Sequence, residues 1–487
     1  MTDTDRRRQR LTLACMCFAL FTGGSVLCAL APSTSFLIGT RVVQGIGGAL
    51  MMPSTLSIIT NTFPEPAEQA RAIGTWAGVS GLALALGPLV GGTMVDHLGW
   101  QSIFWINVPI GMIAIAAALP FVPESSNREG RNLDLPGQVT AVIGLAALTY
   151  AFIEANRYGW TSTRILSCFV IAAVALSLFV LVELRSRSPL LQLGFFRNRT
   201  FSGANLVGII ISFAFFGVIL YLGLFMQQVQ GYSPTHAGVL QLPATLGVMG
   251  AAMLSGRLVA RVGARVPITC GLVLLGIGLL MLTPLAPTSP YHSWWYWLLL
   301  IGVGNGLVMA PMTAAIMSTV PNARAGMASA TSNTMRQIGG VFGIAVLGNL
   351  VIRRYTSELT AGLKVMHLPG AAIQKTVAAF SQGGGAATSA PGTLPGGVDV
   401  AALKPVIGQS FTSGVHVALW VSGIMLLVGA PIAWTLIRGT SAESQARARA
   451  HAEARAQQRL VQEGEPAAVQ AQPQLQAIEV ADGEAPL

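Results

Sequence analysis

Long apolar stretches, each bounded by charged residues, proline or glycine, recur along the whole chain. A helix that crosses a bilayer needs about 20 predominantly apolar residues, and twelve stretches reach roughly that length. They lie at about 11–31, 34–61, 69–95, 101–122, 136–156, 163–184, 203–228, 234–257, 266–286, 294–317, 326–352 and 414–437. The pattern predicts an all-α polytopic membrane protein with about twelve transmembrane helices.

Two segments interrupt the series of short connectors. Residues 354–413 contain a glycine run and a proline-to-glycine stretch, which favour a flexible linker over a folded domain. The tail after residue 439 is polar, and we expect a helix at 441–460 followed by disorder at 463–487.

Composition supports the membrane assignment. Hydrophobic residues make up 52% of the 487-residue chain and charged residues only 10%, and the mean hydropathy is +0.61. An ordinary soluble domain carries about 25% charged residues, so a soluble enzyme, a disulfide scaffold and a nucleic-acid-binding protein are excluded. The five cysteines lie inside apolar runs and lack the paired spacing of metal ligands, so we expect them to be packing residues and not a metal site.

The basic residues are distributed unequally between the two sides of the predicted topology. Alternate connectors carry 20 lysines and arginines on one side and 7 on the other. Positive residues favour the cytoplasm, so we predict a multi-pass protein of the cell (inner or plasma) membrane with both termini cytoplasmic and 354–413 external. The apolar run after the N-terminal arginines is longer than the about 7–15 residues of a signal peptide, so we expect it to be retained.

Several chemistries are missing from the sequence. Each of its three lysines lacks a preceding glycine, so no phosphate-binding loop is present and ATP does not drive this chain by itself. The metalloprotease motif H-E-x-x-H and the nucleophile motif G-x-S-x-G are also absent. The sequence therefore predicts that the protein is not an enzyme.

Arg41 and Gln44 lie inside the second predicted helix. An arginine at membrane depth costs roughly 2.5–3.5 kcal/mol on insertion scales, which favours a functional role. A fixed cation can organise a proton or substrate relay. The alternative is a structural pair, or a side chain that extends to water near the helix end.

The third predicted helix is unusually rich in helix-breaking residues. It contains Gly78, Gly81, Gly87, Pro88, Gly91 and Gly92. Small residues let membrane helices approach closely, and a proline permits a kink. The pattern is typical of a close-packed hinge or seal, although plain tight packing would use the same residues.

A short basic turn joins two helices of the second half. Its residues are Gly256, Arg257, Arg261, Gly263 and Arg265. The segment that begins at Asp5 and Arg6 looks like a fragment of a similar turn, which suggests an internal repeat.

These motifs together resemble the major facilitator superfamily and, more narrowly, its 14-helix drug:proton antiporters. Further matches are Trp100 to Gly111, Gln228 to Gly238, and Arg336 to Gly343. The resemblance covers about residues 5 to 438. Gln101 stands where the family often has arginine, and Ala260 where its basic turn often has an acid.

The resemblance implies secondary active transport, in which amphipathic small molecules leave the cell in exchange for protons by alternating access. Arg41 and Gln44 would serve coupling, the glycine-proline helix would form the hinge or seal, and the basic turns would gate. A proton gradient takes the place of a cofactor. The implied partners are the small-molecule substrate, protons and the lipid bilayer, with a periplasmic adaptor protein as a further candidate and no nucleic acid. Candidate cavity or interhelical residues are Gln228, Asn305, Asn333, Arg336 and Gln337.

The family pattern also implies two six-helix halves separated by two extra helices. Fitting it gives an incomplete four-helix bundle at 1–122, the two extra helices and cytoplasmic loops at 123–200, a six-helix bundle at 201–438 and the tail at 439–487. The chain thus shows about 12 helices of a 14-helix pattern and lacks the first two.

The acidic residue that the family uses for proton coupling belongs to the first missing helix. Glu154 and Glu183 lie near helix ends, where surface pairing is expected instead. We therefore expect the natural reading frame or an ancestral form to extend upstream. Two alternatives stay open, an exporter of one metabolite and a truncated product that does not transport.

Overall fold

The computed structural model describes most of the chain between residues 18 and 438. The described residues are 18–62, 66–121, 134–186, 189, 191–320, 324–366, 369–371, 373–374, 376–377, 393–394 and 398–438. The predictions for Asp5, Arg6 and the tail after residue 439 lie outside them.

Helices account for almost all of the regular structure in these residues. The α-helices are α1 (Phe18–Ala29), α2 (Thr34–Thr62), α3 (Pro66–Leu98), α4 (Ser102–Trp105), α5 (Asn107–Phe121), α6 (Leu135–Tyr158), α7 (Thr163–Arg185), α8 (Arg199–Leu224), α9 (Pro234–Leu240), α10 (Leu242–Val262), α11 (Arg265–Met281), α12 (Trp295–Met317), α13 (Ala325–Val365) and α14 (Val400–Leu436). Short 3-10 helices lie at Leu193–Arg197 and Tyr291–Ser293, and a π-helix at Phe225–Val229 continues α8. The strands β1 (Thr393–Leu394) and β2 (Val398–Asp399) form one small antiparallel pair.

The all-α prediction is confirmed. Each of the twelve predicted apolar segments overlaps a helix in the described residues. Seven spans there are long and apolar enough to cross a membrane by length and composition, and three shorter helices are also apolar.

Glycines set the spacing between helices of the second bundle. α10 packs along α12, where a Cβ added at Gly302 would overlap the carbonyl oxygen of Ala244. One turn further on, Gly306 meets the backbone of Val248 in the same way. Because no side chain separates them, the two backbones touch directly, which is how small residues stabilise helix pairs in lipid.

The α6–α7 hairpin packs against α13 of the second bundle through aromatic rings. The Phe152 ring lies edge-on to Phe342 of α13, with 5.1 Å between centroids. Phe152 also contacts Phe169 of α7 at 5.5 Å and Trp160 of the hairpin turn at 6.0 Å. The guanidinium of Arg353 stands 5.9 Å from the Trp160 ring. These contacts attach the two extra helices to the second bundle.

The expectation of a flexible linker throughout 354–413 is wrong at both ends of that segment. α13 continues without a break to Val365, and α14 already begins at Val400. Their ends share a small apolar core of their own, in which Leu359, Leu363 and Leu403 are fully buried. Apolar residues at helical spacing form this core. That spacing was overlooked in the sequence because a glycine-rich stretch lies nearby.

We expect Gly302→Ala to destabilise the protein, whereas Gly250→Ala, also inside a helix, should keep or slightly raise its stability. The added methyl at Gly302 has no space, while nothing lies within 4 Å of a Cβ at Gly250. Overpacking costs about 1–3 kcal/mol, so with an unfolding entropy of about 2.1 cal/mol/K per residue the thermal midpoint of the purified protein should fall by about 1–3 °C. Equal midpoints for the two variants would contradict the backbone contact.

Candidate functional site

Two glycine contacts bring α1 and α2 together. A Cβ added at Gly24 would stand 2.8 Å from the Cα of Gln44, and one added at Gly47 would stand 2.6 Å from the backbone nitrogen of Phe21. This close approach places the buried side chains of Ser25 and Gln44 against each other.

A hydrogen-bonded chain of side chains then crosses three helices. Arg41 Nη1 donates to Gln44 Oε1 at 2.7 Å, and Gln44 Nε2 donates to Ser25 Oγ at 2.5 Å. Asn107, the first residue of α5, donates from Nδ2 to the same Ser25 oxygen at 3.4 Å. We call Ser25, Arg41, Gln44 and Asn107 the polar cluster.

Further groups surround the polar cluster. The thiol of Cys28 lies 3.3 Å from Thr40 Oγ1 and 3.8 Å from Gln44 Oε1. The Arg41 guanidinium carbon stands 5.7 Å from the centroid of the Phe104 ring. Gln44 is thus fixed from both sides, and its amide oxygen is aimed at Arg41.

The geometry bears on the two interpretations of Arg41. Its hydrogen-bond partner is a neutral amide, and in the described part of the chain no carboxylate pairs with it. The side chain is exposed, whereas Gln44 beneath it is buried. A cation held at one edge and open at the other can attract a carboxylate, a substrate anion or an ordered water.

Sequence reasoning found Arg41 and Gln44 but missed the residues that orient them. Ser25 belongs to a run of small residues in the first predicted helix, Gly23-Gly24-Ser25, and that run was the available signal. The role of Asn107 depends on the position of α5 and has no local signature.

The glycine-proline helix α3 contacts the second bundle at α9. A Cβ at Gly92 would overlap the carbonyl oxygen of Pro234, and one at Gly238 would overlap the carbonyl oxygen of Pro88. Of the glycines expected to pack closely, Gly92 does so, whereas beside Gly87 and Gly91 the structure has open space. The surroundings of Gly81 lie outside the described side chains.

At the end of α3, the carboxylate of Asp96 adds a hydrogen bond to the contact between α3 and α9. Asp96 Oδ2 accepts a hydrogen bond from the backbone N–H of Thr235 at 2.7 Å. The Asp96 side chain is exposed. The sequence motifs did not single out this residue.

The basic turn joins α10 to α11 as predicted. Gly263 ends α10 with φ +77°, a left-handed conformation that glycine adopts without strain. Its N–H donates a hydrogen bond to the carbonyl oxygen of Val259 at 2.9 Å. Arg257 and Arg261 are exposed. Arg265 instead stacks on Trp434 of α14, with its guanidinium carbon 4.0 Å from the ring centroid.

The candidate polar residues of the second half do not form one site. Gln228 lies in the π-helix, Asn305 is buried in α12, and Gln337 is exposed on α13. Asn333 and Arg336 are half-buried on α13. No hydrogen bond described in this part of the chain joins any two of the five.

Glu183 departs from its expected surface position. It is 5% exposed, and its Oε2 accepts a hydrogen bond from the backbone N–H of Leu191 at 3.1 Å. Leu191, in the connector after α7, thus lies back against the end of the helix. Glu154, at the other end of the hairpin, is half-buried.

Comparison with protein families decides the family. The profile described as Major Facilitator Superfamily matches residues 4–344, which is more than half of the chain. The chain belongs to the major facilitator superfamily. As a member of this superfamily, it is a multi-pass membrane transporter and not an enzyme.

Several relatives within the major facilitator superfamily are named for drug resistance. The chain is 38% identical to "Multidrug resistance protein Stp" of Mycobacterium tuberculosis over 75% of its own length and 67% of that protein. It is 36% identical to "Methylenomycin A resistance protein" of Streptomyces coelicolor, covering 72% and 73% of the two chains. It is 33% identical to "Tetracenomycin C resistance and export protein" of Streptomyces glaucescens, covering 85% and 77%.

We expect the Ser25–Gln44 hydrogen bond to appear as an energetic coupling. Ser25→Ala alone leaves the buried Gln44 amide without its acceptor, at a cost of about 1–3 kcal/mol. Gln44→Leu in the same chain removes the amide that needs a partner, so the double variant should lose less stability than the two single variants combined. Thermal unfolding of the purified proteins measures the stability lost in each single variant and in the double variant.

Ser167→Ala provides the control, since that serine is exposed on α7 and donates to the carbonyl of Arg164 on its own helix. Additive losses for Ser25→Ala and Gln44→Leu would show that the polar cluster is not coupled.

Proposed function

We propose that the chain exports amphipathic small molecules, including drugs, from the cell in exchange for protons by alternating access. The observation that carries drug export is the similarity to a protein named for multidrug resistance, at 38% identity over 75% of this chain. Two further relatives are named for resistance to single antibiotics.

The polar cluster supports the proposal of proton coupling. Arg41 bonds to a buried neutral amide, and the described residues bring no carboxylate into an ion pair with it. A proton carrier or an acidic group of the transport cycle would interact with this cation. The Gln44–Ser25–Asn107 chain would hold Arg41 in place while that interaction forms and breaks.

The contact of α3 with α9 supports alternating access. Gly92 and Gly238 join a helix of the first bundle to a helix of the second at the end of the molecule where α3 ends. The excess of positive residues on the other side assigns this end to the exterior in our proposal. There the contact closes the exit, and both chain termini face the cytoplasm.

A narrower second candidate is the export of one metabolite. The relatives from Streptomyces carry names that specify one compound each. The two candidates differ in the number of chemically unrelated substrates that the protein moves.

Efflux of a panel of dyes and antibiotics from cells that express the chain tests both candidates. We expect export of several unrelated amphipathic compounds, and its loss when a protonophore collapses the proton gradient. Export of a single compound would favour the second candidate. Export that persists at full rate with the protonophore would overturn proton coupling, and export of none would overturn drug transport.

We expect Arg41→Ala to abolish export without lowering the amount of protein in the membrane. Removal of an intramembrane cation eases insertion but deletes the proposed relay. Arg41→Lys should restore only part of the activity, because an ammonium lacks the planar fork of guanidinium. Dye efflux at matched expression is the measurement, and full export by the alanine variant would contradict the assignment.

A matched pair tests the glycine-proline helix. Gly92→Leu should block export, since the new side chain would displace Pro234 and separate α3 from α9. Gly91→Leu, one residue earlier, points into open space and should retain most of the export. Comparable loss in both variants would indicate that the α3–α9 contact is not the cause.

A further inference from the structure

The first turn of α9 obtains its hydrogen bonds from two sources. Pro234 has no N–H, and the N–H of His236 donates to the hydroxyl of Ser233 at 3.2 Å. The remaining N–H, that of Thr235, donates to Asp96 of the other bundle at 2.7 Å. A helix start needs such partners because its first N–H groups have none within the helix.

The hydrogen bond joins the same two helices as the glycine contact. Gly92 lies one turn before Asp96 on α3, and it touches the backbone of Pro234 and Thr235. α9 therefore cannot move away from α3 without breaking the hydrogen bond. If this end of the molecule opens, the Asp96 carboxylate and the Thr235 N–H must both turn to water.

We propose that Asp96 is a positioning residue of the transport cycle, whose carboxylate holds the first turn of α9 against α3 and favours the conformation closed at this end. The inference rests on alternating access as proposed above, but not on the identity of the substrate or the coupling ion. Its rival is a local role, in which Asp96 only completes the start of α9.

The contact should be insensitive to pH over the physiological range. The hydroxyl and the backbone N–H of Thr235, with smaller contributions from Ser233 and His97, hold the pKa of Asp96 below its ordinary value. A lowered pKa in the closed state means that the contact is present above the ordinary carboxyl pKa, about 4. It is lost only as the pH falls through the lowered value.

Two histidines stand next to this contact in the sequence. His97 follows Asp96 on α3, and the exposed His236 lies in the first turn of α9. Among the described residues, the charged side chains of the other helices that contact α3 are Arg41 on α2 and Arg257 and Arg261 on α10. The two arginines of α10 lie at its far end from α9.

Hydrogen exchange of the purified full-length chain at pH 7 tests the proposal without any transported substrate. In Asp96→Ala, amides of the segment 231–242 should exchange about threefold faster or more, because Thr235 loses its acceptor. Asp96→Asn keeps a neutral acceptor and should lie between alanine and the wild type. Asp96→Glu restores the charge and should return most of the protection.

Hydrogen exchange in a second segment distinguishes a positioning role of Asp96 from a purely local capping role. The basic turn at 256–265 lies at the opposite end of the α9–α10 pair and carries the exposed Arg257 and Arg261. If opening of one end accompanies closure of the other, Asp96→Ala should slow exchange in this turn. Faster exchange confined to 231–242 would show a local cap only, and unchanged exchange in both segments would remove the role of Asp96 altogether.

Glu358→Gln is the matched control. Glu358 is a half-exposed carboxylate of α13 that pairs with Arg354 on the same helix at 2.7 Å, and among the described residues no ion pair joins it to the first bundle. This variant should exchange like the wild type in both segments. If the reciprocal change appears while the efflux panel shows no export, the positioning role stands and the proposed cargo is wrong.

Discussion

Direct contact between helix backbones is the interaction on which the rest of this structure depends. Lipid tails are as apolar as leucine, so helices in a bilayer gain little by burying leucines against one another. Backbones that approach closely gain dispersion contacts instead, and only glycine leaves room for them. Such contacts pair Gly47 with Phe21, Gly92 with Pro234, Gly302 with Ala244, Gly339 with Ile209 and Gly343 with Phe213. Glycine–backbone contacts of this kind occur inside each bundle and between the bundles.

The polar cluster depends on this packing. Ser25 reaches Gln44 only because Gly24 and Gly47 let α1 and α2 touch. In a low-dielectric interior, a hydrogen bond that is made orients its partners firmly, and one that is lost is costly. The position of Arg41 is therefore controlled by glycines that carry no chemistry themselves, in addition to the groups that contact its guanidinium.

The sequence predicted those features that repeat over many residues. Apolar length identified the helices, and the spacing of Gly87, Pro88, Gly91 and Gly92 indicated a closely packed helix. It could not tell Gly91 from Gly92, because they differ by about 100° around the helix and only the position of α9 decides which one touches. The bond between Asp96 and Thr235 spans 139 residues and leaves no local pattern. The helical ends of 354–413 were missed because the glycine-rich stretch outweighed the spacing of Leu359 and Leu363.

The long α13 has a practical consequence for the whole molecule. Its 41 residues extend about 60 Å, roughly twice the thickness of the hydrocarbon layer. The end of α13 packs on the start of α14 through its own apolar core, so it forms a stiff projection into water on one side. A binding fragment attached to that projection would act as a rigid lever and would amplify every rotation of the second bundle into a displacement visible from outside the membrane.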